Sequence, residues 1–335
     1  MFSLLIRRGL IFLPAILLAG CNLVVMNPSG DVAHQEGRLI VISTLLMLLI
    51  IVPVIVLTLL FAWRYRKNNT AARYEPDWDH STQLELVIWG APLLIIIALG
   101  LLTWISTHTL DPYRKLGRLD AQRPIPANVK PLIVEVVALD WKWLFIYPEQ
   151  GIATVNELAA PVDVPIQFKI TASTVMNSFY IPALAGQIYA MPGMQTALNA
   201  VINKPGEFEG FSANYSGAGF SDMHFKFHGL SNEDFEQWVK KVKAGSDGLK
   251  RADYLTLEKP SIKDPVRYFG NVDATLYHAI LNRCVEEGKA CMDRQMATDK
   301  NVKDEAPVKQ EGAAGKSLDV AMAGSVAAVG QRSHE

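Results

Sequence analysis

Two long apolar stretches without a charged side chain constrain this chain more than any other feature. They occupy residues 39–63 and 86–105. At about 1.5 Å per residue in a helix, each is long enough for the ~30 Å hydrocarbon core of a bilayer. Pro53 and Pro92 lie inside them, and membrane helices tolerate proline better than soluble helices do. The pattern predicts two transmembrane helices.

The segment between the two stretches indicates how the hairpin is oriented. Residues 64–84 carry four basic side chains, which is typical of a cytoplasmic loop: Arg64, Arg66, Lys67 and Arg73. We therefore predict a helical hairpin over residues 39–107 with both outer ends outside the cytoplasm. An external segment, residues 21–38, precedes the hairpin, and everything after about residue 107 lies on that same outer side.

The first twenty residues have the pattern of an export signal. Arg7 and Arg8 precede an apolar stretch, residues 10–18, which is too short to span a bilayer and is followed by small residues and Cys21. The string LLAGC resembles the lipobox of bacterial lipoproteins, in which the cysteine becomes the lipidated N-terminus. The resemblance predicts a lipoprotein signal peptide over residues 1–20 and lipidation of Cys21. The alternative is an ordinary signal peptide with an incidental cysteine.

Residues 108–230 have a different pattern of short alternating runs. These runs are rich in β-branched and aromatic residues and are separated by proline and glycine: 132–147, 165–173, 179–193 and 195–202. Several short strands between turn signals predict an all-β sandwich or barrel. The formal net charge of −1 gives the chain no general attraction for nucleic acid.

The C-terminal part divides into a predicted helical segment, residues 231–297, and a tail. Ser231 is a predicted N-cap of an amphipathic helix that extends to about residue 245. Its apolar face comprises Phe235, Trp238, Val239 and Val242. A second helix is predicted from residue 273 to about 287. The tail, residues 298–335, has no aromatic residue and is rich in Ala, Gly, Lys and Glu, so we expect disorder.

Cys284 and Cys291 are the only cysteines besides Cys21. In an oxidising compartment they form either a disulfide across a short loop or two free thiols, and the spacing does not decide between these. A metal site is disfavoured there because no histidine lies at ligand spacing. No metal is predicted for this chain.

The string GFSANYSGAGFSDM, residues 210–223, places Ser212 and Ser216 four positions apart in a glycine-rich loop. In an external β-domain this spacing resembles the metal loop of cupredoxins. Two membrane helices followed by such a domain resemble subunit II of the haem–copper respiratory oxidases. The resemblance implies the complete fold: a transmembrane helical hairpin, then an all-β cupredoxin-like barrel, then C-terminal helices.

In the cytochrome c oxidase branch of that family, the copper loop has the pattern C-x-E-x-C-x-x-x-H-x-x-M, with a further histidine upstream. The aligned residues of this chain are Ser212 and Ser216 for the cysteines, Asn214 for the Glu, Phe220 for the His, Met223 for the Met and Asn177 for the upstream His. A copper pair needs bridging thiolates and imidazoles. The resemblance therefore implies former ligand positions that hold no copper.

Two long strings, residues 139–159 and 177–196, resemble subunit II of the quinol-oxidising branch, the bo-type ubiquinol oxidases. The resemblance implies a non-redox subunit of a proton-pumping ubiquinol:oxygen oxidoreductase in a bacterial inner membrane, with its C-terminal domain in the periplasm. It further implies docking on subunit I, which carries haem b, haem o and a copper ion. Subunits III and IV are the other expected partners, and ubiquinol is the expected substrate of the complex. Cytochrome c is not expected to be a partner.

The same resemblance gives two further residues a candidate role. Trp141 occupies the position of the electron-entry aromatic residue of copper-containing relatives, although packing is the simpler interpretation. Glu85 begins the second apolar stretch, and a glutamate there in the family lies at the mouth of a proton pathway into subunit I. The alternative for Glu85 is a solvated carboxylate at a helix N-terminus, where negative charge is favourable.

Two other functions remain as alternatives. The first is a copper-carrying subunit that accepts electrons from cytochrome c, which the residues at the former ligand positions disfavour. The second is a lipoprotein binding module that uses the barrel for an unrelated ligand. Co-purification with a large haem-bearing subunit distinguishes the binding module from an oxidase subunit.

Overall fold

The structure is a computed structural model, and it describes residues 23–73, 75–126, 128–245 and 247–296. The predicted signal peptide, the predicted lipidation site Cys21 and the predicted C-terminal tail lie outside the described residues. The chain divides into two compact units, Met1–Met292 and Asp293–Glu335. All elements given below belong to the first unit.

Two apolar helices, as predicted, form the N-terminal part. Helix α1 is Asp31–Arg64 and helix α2 is Thr82–Thr109. Both expose large apolar side chains along their length; Leu59 is 65% and Trp89 is 77% exposed. So much contiguous exposed apolar surface requires a bilayer or a protein partner to cover it. Both helices are long and apolar enough to cross a membrane.

Helix α1 begins eight residues before its apolar stretch because its first turn packs on the β-domain. Val32 and Ala33 are buried there. The Ala33 backbone N–H donates to the Leu184 carbonyl at 3.3 Å, which satisfies one of the free amides at the helix N-terminus. Gly30 forms an isolated β-bridge with Ile202. The first turn of α1 is therefore part of the β-domain's packing.

The domain that follows is β-rich, which confirms the predicted class. Its strands are β1 Leu132–Leu139, β2 Lys142–Tyr147, β3 Ile152–Val155, β4 Glu157–Pro161, β5 Pro165–Ala172, β6 Asn177–Ile181, β7 Ala185–Ala190, β8 Thr196–Val201, β9 Gly206–Ser212, β10 His224–Leu230, β11 Gly248–Leu249, β12 Arg267–Phe269 and β13 Asn271–Val272. The two main sheets have the orders β12-β3-β2-β1-β5-β8 and β4-β10-β9-β6-β7. The pairs β1–β5 and β4–β10 are parallel.

An aromatic cluster fills the space between the sheets. The rings of Phe179 and Phe225 stack with centroids 5.5 Å apart, and Trp143 packs edge-on against them at 5.4 and 5.8 Å. All three side chains are buried. Each contributes roughly 2–3 kcal/mol through burial of apolar area. Phe179 and Phe225 lie two residues after Asn177 and Met223, so this core also fixes the strand ends that carry the candidate site.

The first predicted C-terminal helix is present as α3, Asn232–Lys243. The Ser231 side chain caps it by accepting a hydrogen bond from the Asp234 backbone N–H at 3.1 Å. Phe235, Trp238 and Val242 are buried, as the apolar spacing predicted. The Trp238 Nε1–H donates to Glu157 Oε1 at 2.8 Å, which anchors α3 on β4.

The rest of the predicted helical segment differs from the expectation. Helix α4, Arg251–Leu257, was not predicted, and strands β11, β12 and β13 interrupt the segment. Strand β12 pairs with β3 and covers an otherwise open sheet edge. Helix α5 is only Leu276–Leu281 rather than residues 273–287, because Arg283 adopts a positive φ of 54° that a helix cannot continue through.

Candidate functional site

The loop over residues 210–223 leaves β9, passes beside the start of β6 and enters β10. Ser212 Oγ lies 3.1 Å from Asn177 Oδ1 and donates a hydrogen bond to it, with the Asn214 carbonyl as a second acceptor at 3.3 Å. Asn177 Nδ2 donates to the Val175 carbonyl at 3.1 Å. Asn177 and Ser212 are both buried. Both buried side chains therefore have hydrogen-bond partners, in each other and in neighbouring backbone carbonyls, as buried polar groups require.

Hydrogen bonds to backbone carbonyls bring Asn214 and Met223 close to the Asn177–Ser212 pair. The Ser212 backbone N–H donates to the Met223 carbonyl at 3.1 Å. Asn214 Nδ2 donates to the Met176 carbonyl at 3.2 Å, which ties the loop to the residue before β6. Met223 is 1% exposed. Four of the six predicted former ligand positions thus lie in one hydrogen-bonded group.

Ser216 and Phe220 are held differently. The Ser216 carbonyl accepts a hydrogen bond from Trp141 Nε1–H at 3.1 Å, while its buried Oγ has no hydrogen-bond partner among the described residues. The half-buried Phe220 ring packs edge-on against the exposed Tyr215, with centroids 5.6 Å apart. Neither side chain contributes a hydrogen bond to the Asn177–Ser212 pair.

The donor set of the loop does not suit a copper pair. It comprises two amides, two hydroxyls, one thioether and one phenyl ring, and contains neither a thiolate nor an imidazole. A binuclear copper site needs both of the missing ligand types. The described part of the chain has no group of three or more His, Cys, Asp or Glu residues that could hold a metal ion. We therefore derive no redox step through this loop.

The Trp141 side chain holds the 210–223 loop against the β-domain. It lies in the two-residue turn between β1 and β2 with a positive φ of 67°, a conformation that costs a bulky residue about 1–3 kcal/mol. Its ring packs on Gly217 and Gly219. A Cβ atom at Gly219 would lie 2.5 Å from the ring atoms Cγ and Cδ2, so only glycine fits beneath the indole. The close packing and the hydrogen bond to Ser216 hold Trp141 in its strained conformation.

Gly219→Ala is therefore expected to displace the indole and to lower the free energy of unfolding by about 1–3 kcal/mol. The measurement is urea unfolding of the full chain in detergent micelles, followed by tryptophan fluorescence. Gly117→Ala is the control, because a Cβ there would meet no atom within 4 Å. Equal stability of the two variants would show that the Trp141 ring moves aside without cost.

Glu85 lies far from the loop. It is in the first turn of α2, about 36 Å along the helix axis from the end that joins the β-domain. Its Oε1 is 2.8 Å from His80 Nδ1, and its side chain is 51% exposed. The length of α2 therefore separates the proton-entry candidate from the end of the helix that joins the β-domain.

Cys284 and Cys291 are joined in a disulfide, with their Cα atoms 4.8 Å apart. The bridge closes the short loop that follows α5. Cys284 is buried in a second apolar cluster that includes Tyr254 and Tyr277. The bridged residues contribute no ligand or reactive group to the 210–223 loop.

The sequence interpretation missed a polar junction between the helices and the β-domain. Arg118 forms a bidentate ion pair with the buried Asp31, through Nε at 2.9 Å and Nη2 at 3.2 Å. Glu36 Oε1 accepts a hydrogen bond from the Gly186 backbone N–H at 3.1 Å. The available signal was the presence of Asp31 and Glu36 just before an uncharged stretch, where a charged side chain needs a partner.

Two family models match the chain. Residues 133–228 match the cytochrome c oxidase subunit II periplasmic domain, and residues 243–288 match the COX aromatic rich motif. The 210–223 loop and Trp141 lie within the first match, and α4 and α5 lie within the second.

Several curated proteins are similar over most of their length. Cytochrome bo(3) ubiquinol oxidase subunit 2 of Pseudomonas aeruginosa is 51% identical over 277 residues, 83% of this chain and 81% of that protein. The protein of the same name from Pseudomonas putida is 50% identical, over 81% of this chain and 84% of that protein. Ubiquinol oxidase subunit 2 of Acetobacter aceti is 52% identical, over 80% of this chain and 84% of that protein. The chain therefore belongs to the family of subunit 2 of the bo-type ubiquinol oxidases, within the cytochrome oxidase subunit II family.

Proposed function

We propose that this chain is a non-redox subunit of a proton-pumping ubiquinol:oxygen oxidoreductase and that its copper ligands have been lost. The observation that carries the proposal is the Ser212–Asn177 hydrogen bond. Two neutral polar side chains satisfy each other at positions where a copper pair would need a thiolate and an imidazole. A serine hydroxyl does not ionise at neutral pH and is a poor substitute for a bridging sulfur.

The chemistry of the electron donor explains why such a loop is tolerated. Cytochrome c is a soluble external protein, so an oxidase that uses it needs an electron port outside the membrane. Ubiquinol dissolves in the bilayer and can deliver its electrons within it. The external domain then carries no electron, and we assign the haems b and o, the oxygen-site copper and the ubiquinol site to subunit I.

The exposed apolar helices support the proposed arrangement in the complex. Residues 39–107 form the membrane hairpin, with residues 64–84 on the cytoplasmic side and the β-domain in the periplasm. The hairpin docks on subunit I, the barrel covers the outer face of subunit I, and subunits III and IV complete the complex. Lipidation of Cys21 adds a second anchor outside the described residues.

Deletion of this chain is the direct test. We expect ubiquinol-driven oxygen uptake by membranes to be lost and to return on complementation. The full chain purified without subunit I should contain no stoichiometric copper, and the complete oxidase should not oxidise reduced cytochrome c. Copper bound by the isolated chain, or oxidation of cytochrome c, would instead identify a copper-carrying electron-transfer subunit.

We further propose that Glu85 is a proton-entry residue, because its carboxylate lies at the end of α2 next to the basic loop, which we assign to the cytoplasm. Glu85→Gln removes a titratable group while preserving size, and is expected to slow ubiquinol oxidation by about tenfold or more. Oxygen uptake per haem is the measurement, and haem content reports assembly. Asp77→Asn, in the exposed segment that precedes α2, is the matched control. Undiminished turnover of the assembled Glu85→Gln complex would exclude the role.

A further inference from the structure

A half-enclosed cavity of about 470 Å³ lies where the two apolar helices meet the β-domain. Its walls come from the first two turns of α1, the segment that leaves α2, and strands β7 and β8. The charged residues among those that line it are Asp31, Glu36, Asp111, Arg114, Lys115 and Arg118. The cavity is unrelated to the 210–223 loop.

The cavity lies at the depth of the lipid headgroups. Glu36 precedes the first apolar stretch by three residues, and Thr109 follows the second by four, which is about 4.5–6 Å along each helix. The polar layer of a bilayer extends roughly 5–7 Å beyond each side of the hydrocarbon core. Both helices therefore place the cavity walls within the outer headgroup layer.

Some of the charges in the cavity already have partners. Arg118 and Asp31 form a two-pronged ion pair, and Gln35 Nε2 donates to the same aspartate at 2.8 Å. Asp111 Oδ1 accepts a hydrogen bond from the Tyr113 backbone N–H at 2.9 Å. These groups form the fixed wall of the cavity and leave little capacity for a ligand.

Three other charges lack a counter-ion. Lys115 has no hydrogen-bond or ion-pair partner within the described residues. The Arg114 guanidinium donates to the His108 carbonyl, at 3.2 Å, and to no other group of the described residues. Glu36 accepts only from Gly186, and no cationic side chain of the described chain lies within 4.0 Å of it. Two exposed cations and one half-buried carboxylate therefore line one cavity without pairing with each other. A partly buried carboxylate without a counter-ion is costly.

We propose that this cavity binds the headgroup of a zwitterionic aminophospholipid. The phosphate lies against Arg114 and Lys115, which supply charge-assisted donors, and the primary ammonium donates to Glu36. The acyl chains then run along the exposed apolar faces of α1 and α2. The phosphate thus provides a counter-ion for the two cations, and the ammonium provides one for the carboxylate. Without the lipid, these side chains do not pair with each other. The proposal rests on the membrane position given to the helices and is independent of the electron route.

The test measures phospholipid retained by the assembled oxidase after exchange into detergent, using mass spectrometry. Wild type should keep about one more phosphatidylethanolamine per complex than Glu36→Gln or Lys115→Gln. Glu149→Gln and Lys130→Gln are the matched controls, because both side chains are exposed and lie outside the cavity. They should retain lipid as wild type does. Equal retention by all five proteins would overturn the proposal.

Lipid add-back distinguishes the headgroups and needs only the delipidated wild-type complex. Phosphatidylethanolamine should raise the thermal unfolding midpoint more than phosphatidylcholine, because a trimethylammonium group has no N–H to donate to Glu36. Glu36→Gln should lose this preference. An equal effect of the two lipids on wild type, or an equal effect of soluble glycerophosphoethanolamine, would overturn recognition of a zwitterionic lipid.

Haem content and ubiquinol-driven oxygen uptake are recorded for every variant. A complex that assembles and respires normally while showing no lipid difference contradicts the lipid site alone. Loss of respiration on deletion of the chain, measured separately, concerns only the proposed function. The two proposals can therefore fail independently.

Discussion

Five substitutions are expected to convert the full chain from binding no copper to binding two copper ions. They restore the thiolates, the carboxylate and the imidazoles at the former ligand positions while Met223 is kept: Asn177→His, Ser212→Cys, Asn214→Glu, Ser216→Cys and Phe220→His. The fold already brings three of the former ligand positions together, since Ser212 Oγ lies 3.1 Å from Asn177 Oδ1 and the Ser212 backbone N–H donates to the Met223 carbonyl. Soft thiolates and imidazoles then supply the affinity.

Copper per chain and the visible and near-infrared absorbance of the purified variant provide the measurement. The control keeps Ser212 and carries the other four substitutions, so that one bridging sulfur is missing and the copper pair should not form. A five-residue variant that folds like wild type but takes up no copper would show that the loop backbone no longer has ligand geometry.

Asp264→Asn is expected to lower the free energy of unfolding by about 3–5 kcal/mol, because it leaves a buried ammonium without its carboxylate. Lys142 is 1% exposed, and its Nζ donates to the Lys259 carbonyl at 2.8 Å and to Ser261 Oγ at 2.5 Å. Asp264 Oδ2 lies 3.5 Å from that Nζ and also accepts from Ser261 Oγ. These hydrogen bonds and the ion pair attach the segment after α4 to β2.

Urea unfolding of the full chain in detergent micelles measures this loss. Asp222→Asn is the matched control, because Asp222 pairs at 3.6 Å with the exposed Lys263, and such surface pairs contribute about 0–1 kcal/mol. A loss for Asp264→Asn no larger than that of the control would mean that water reaches Lys142 in the folded chain.

The same cluster gives stability a pH dependence. Burial raises the pKa of Asp264, but the Ser261 hydrogen bond and the charges of Arg267 and Lys142 outweigh burial and hold the pKa below its ordinary value. The contribution of Asp264 is therefore present above the unfolded pKa of about 3.9 and is lost as pH falls through the lower folded pKa. Wild type should lose stability more steeply below about pH 4 than Asp264→Asn does.

Local patterns were sufficient for much of the fold. The length of the two stretches without charged residues predicted α1 and α2. The N-cap at Ser231, followed by apolar residues at helical spacing, predicted α3. Strand β12 was not predictable in this way, because its three residues form a strand only by pairing with β3, more than a hundred positions away. The early end of α5 depends on the backbone of Arg283, which no periodicity encodes.

The candidate site was predicted from resemblance rather than from spacing. Asn177 and Ser212 are 35 positions apart, and only the known loop pattern brought them together before the structure did. The packing of the Trp141 indole on Gly219 was missed, although the closely spaced Gly217 and Gly219 indicated a close approach. The cavity at the helix junction was missed because its charges come from two segments far apart in the sequence, the start of α1 and the segment that follows α2.

The contact of Gly30 with the barrel links membrane insertion to folding. Gly30 bridges Ile202, its backbone N–H donates to the Ala183 carbonyl at 2.9 Å, and a Cβ there would lie 2.6 Å from the Leu184 oxygen. In the proposed orientation, the barrel completes this face only after the N-terminal end of α1 has been exported to the same side. If only one of the two helices crossed the membrane, Gly30 and the β-domain would lie on opposite sides and this contact could not form. Completion of this face therefore requires that both helices cross.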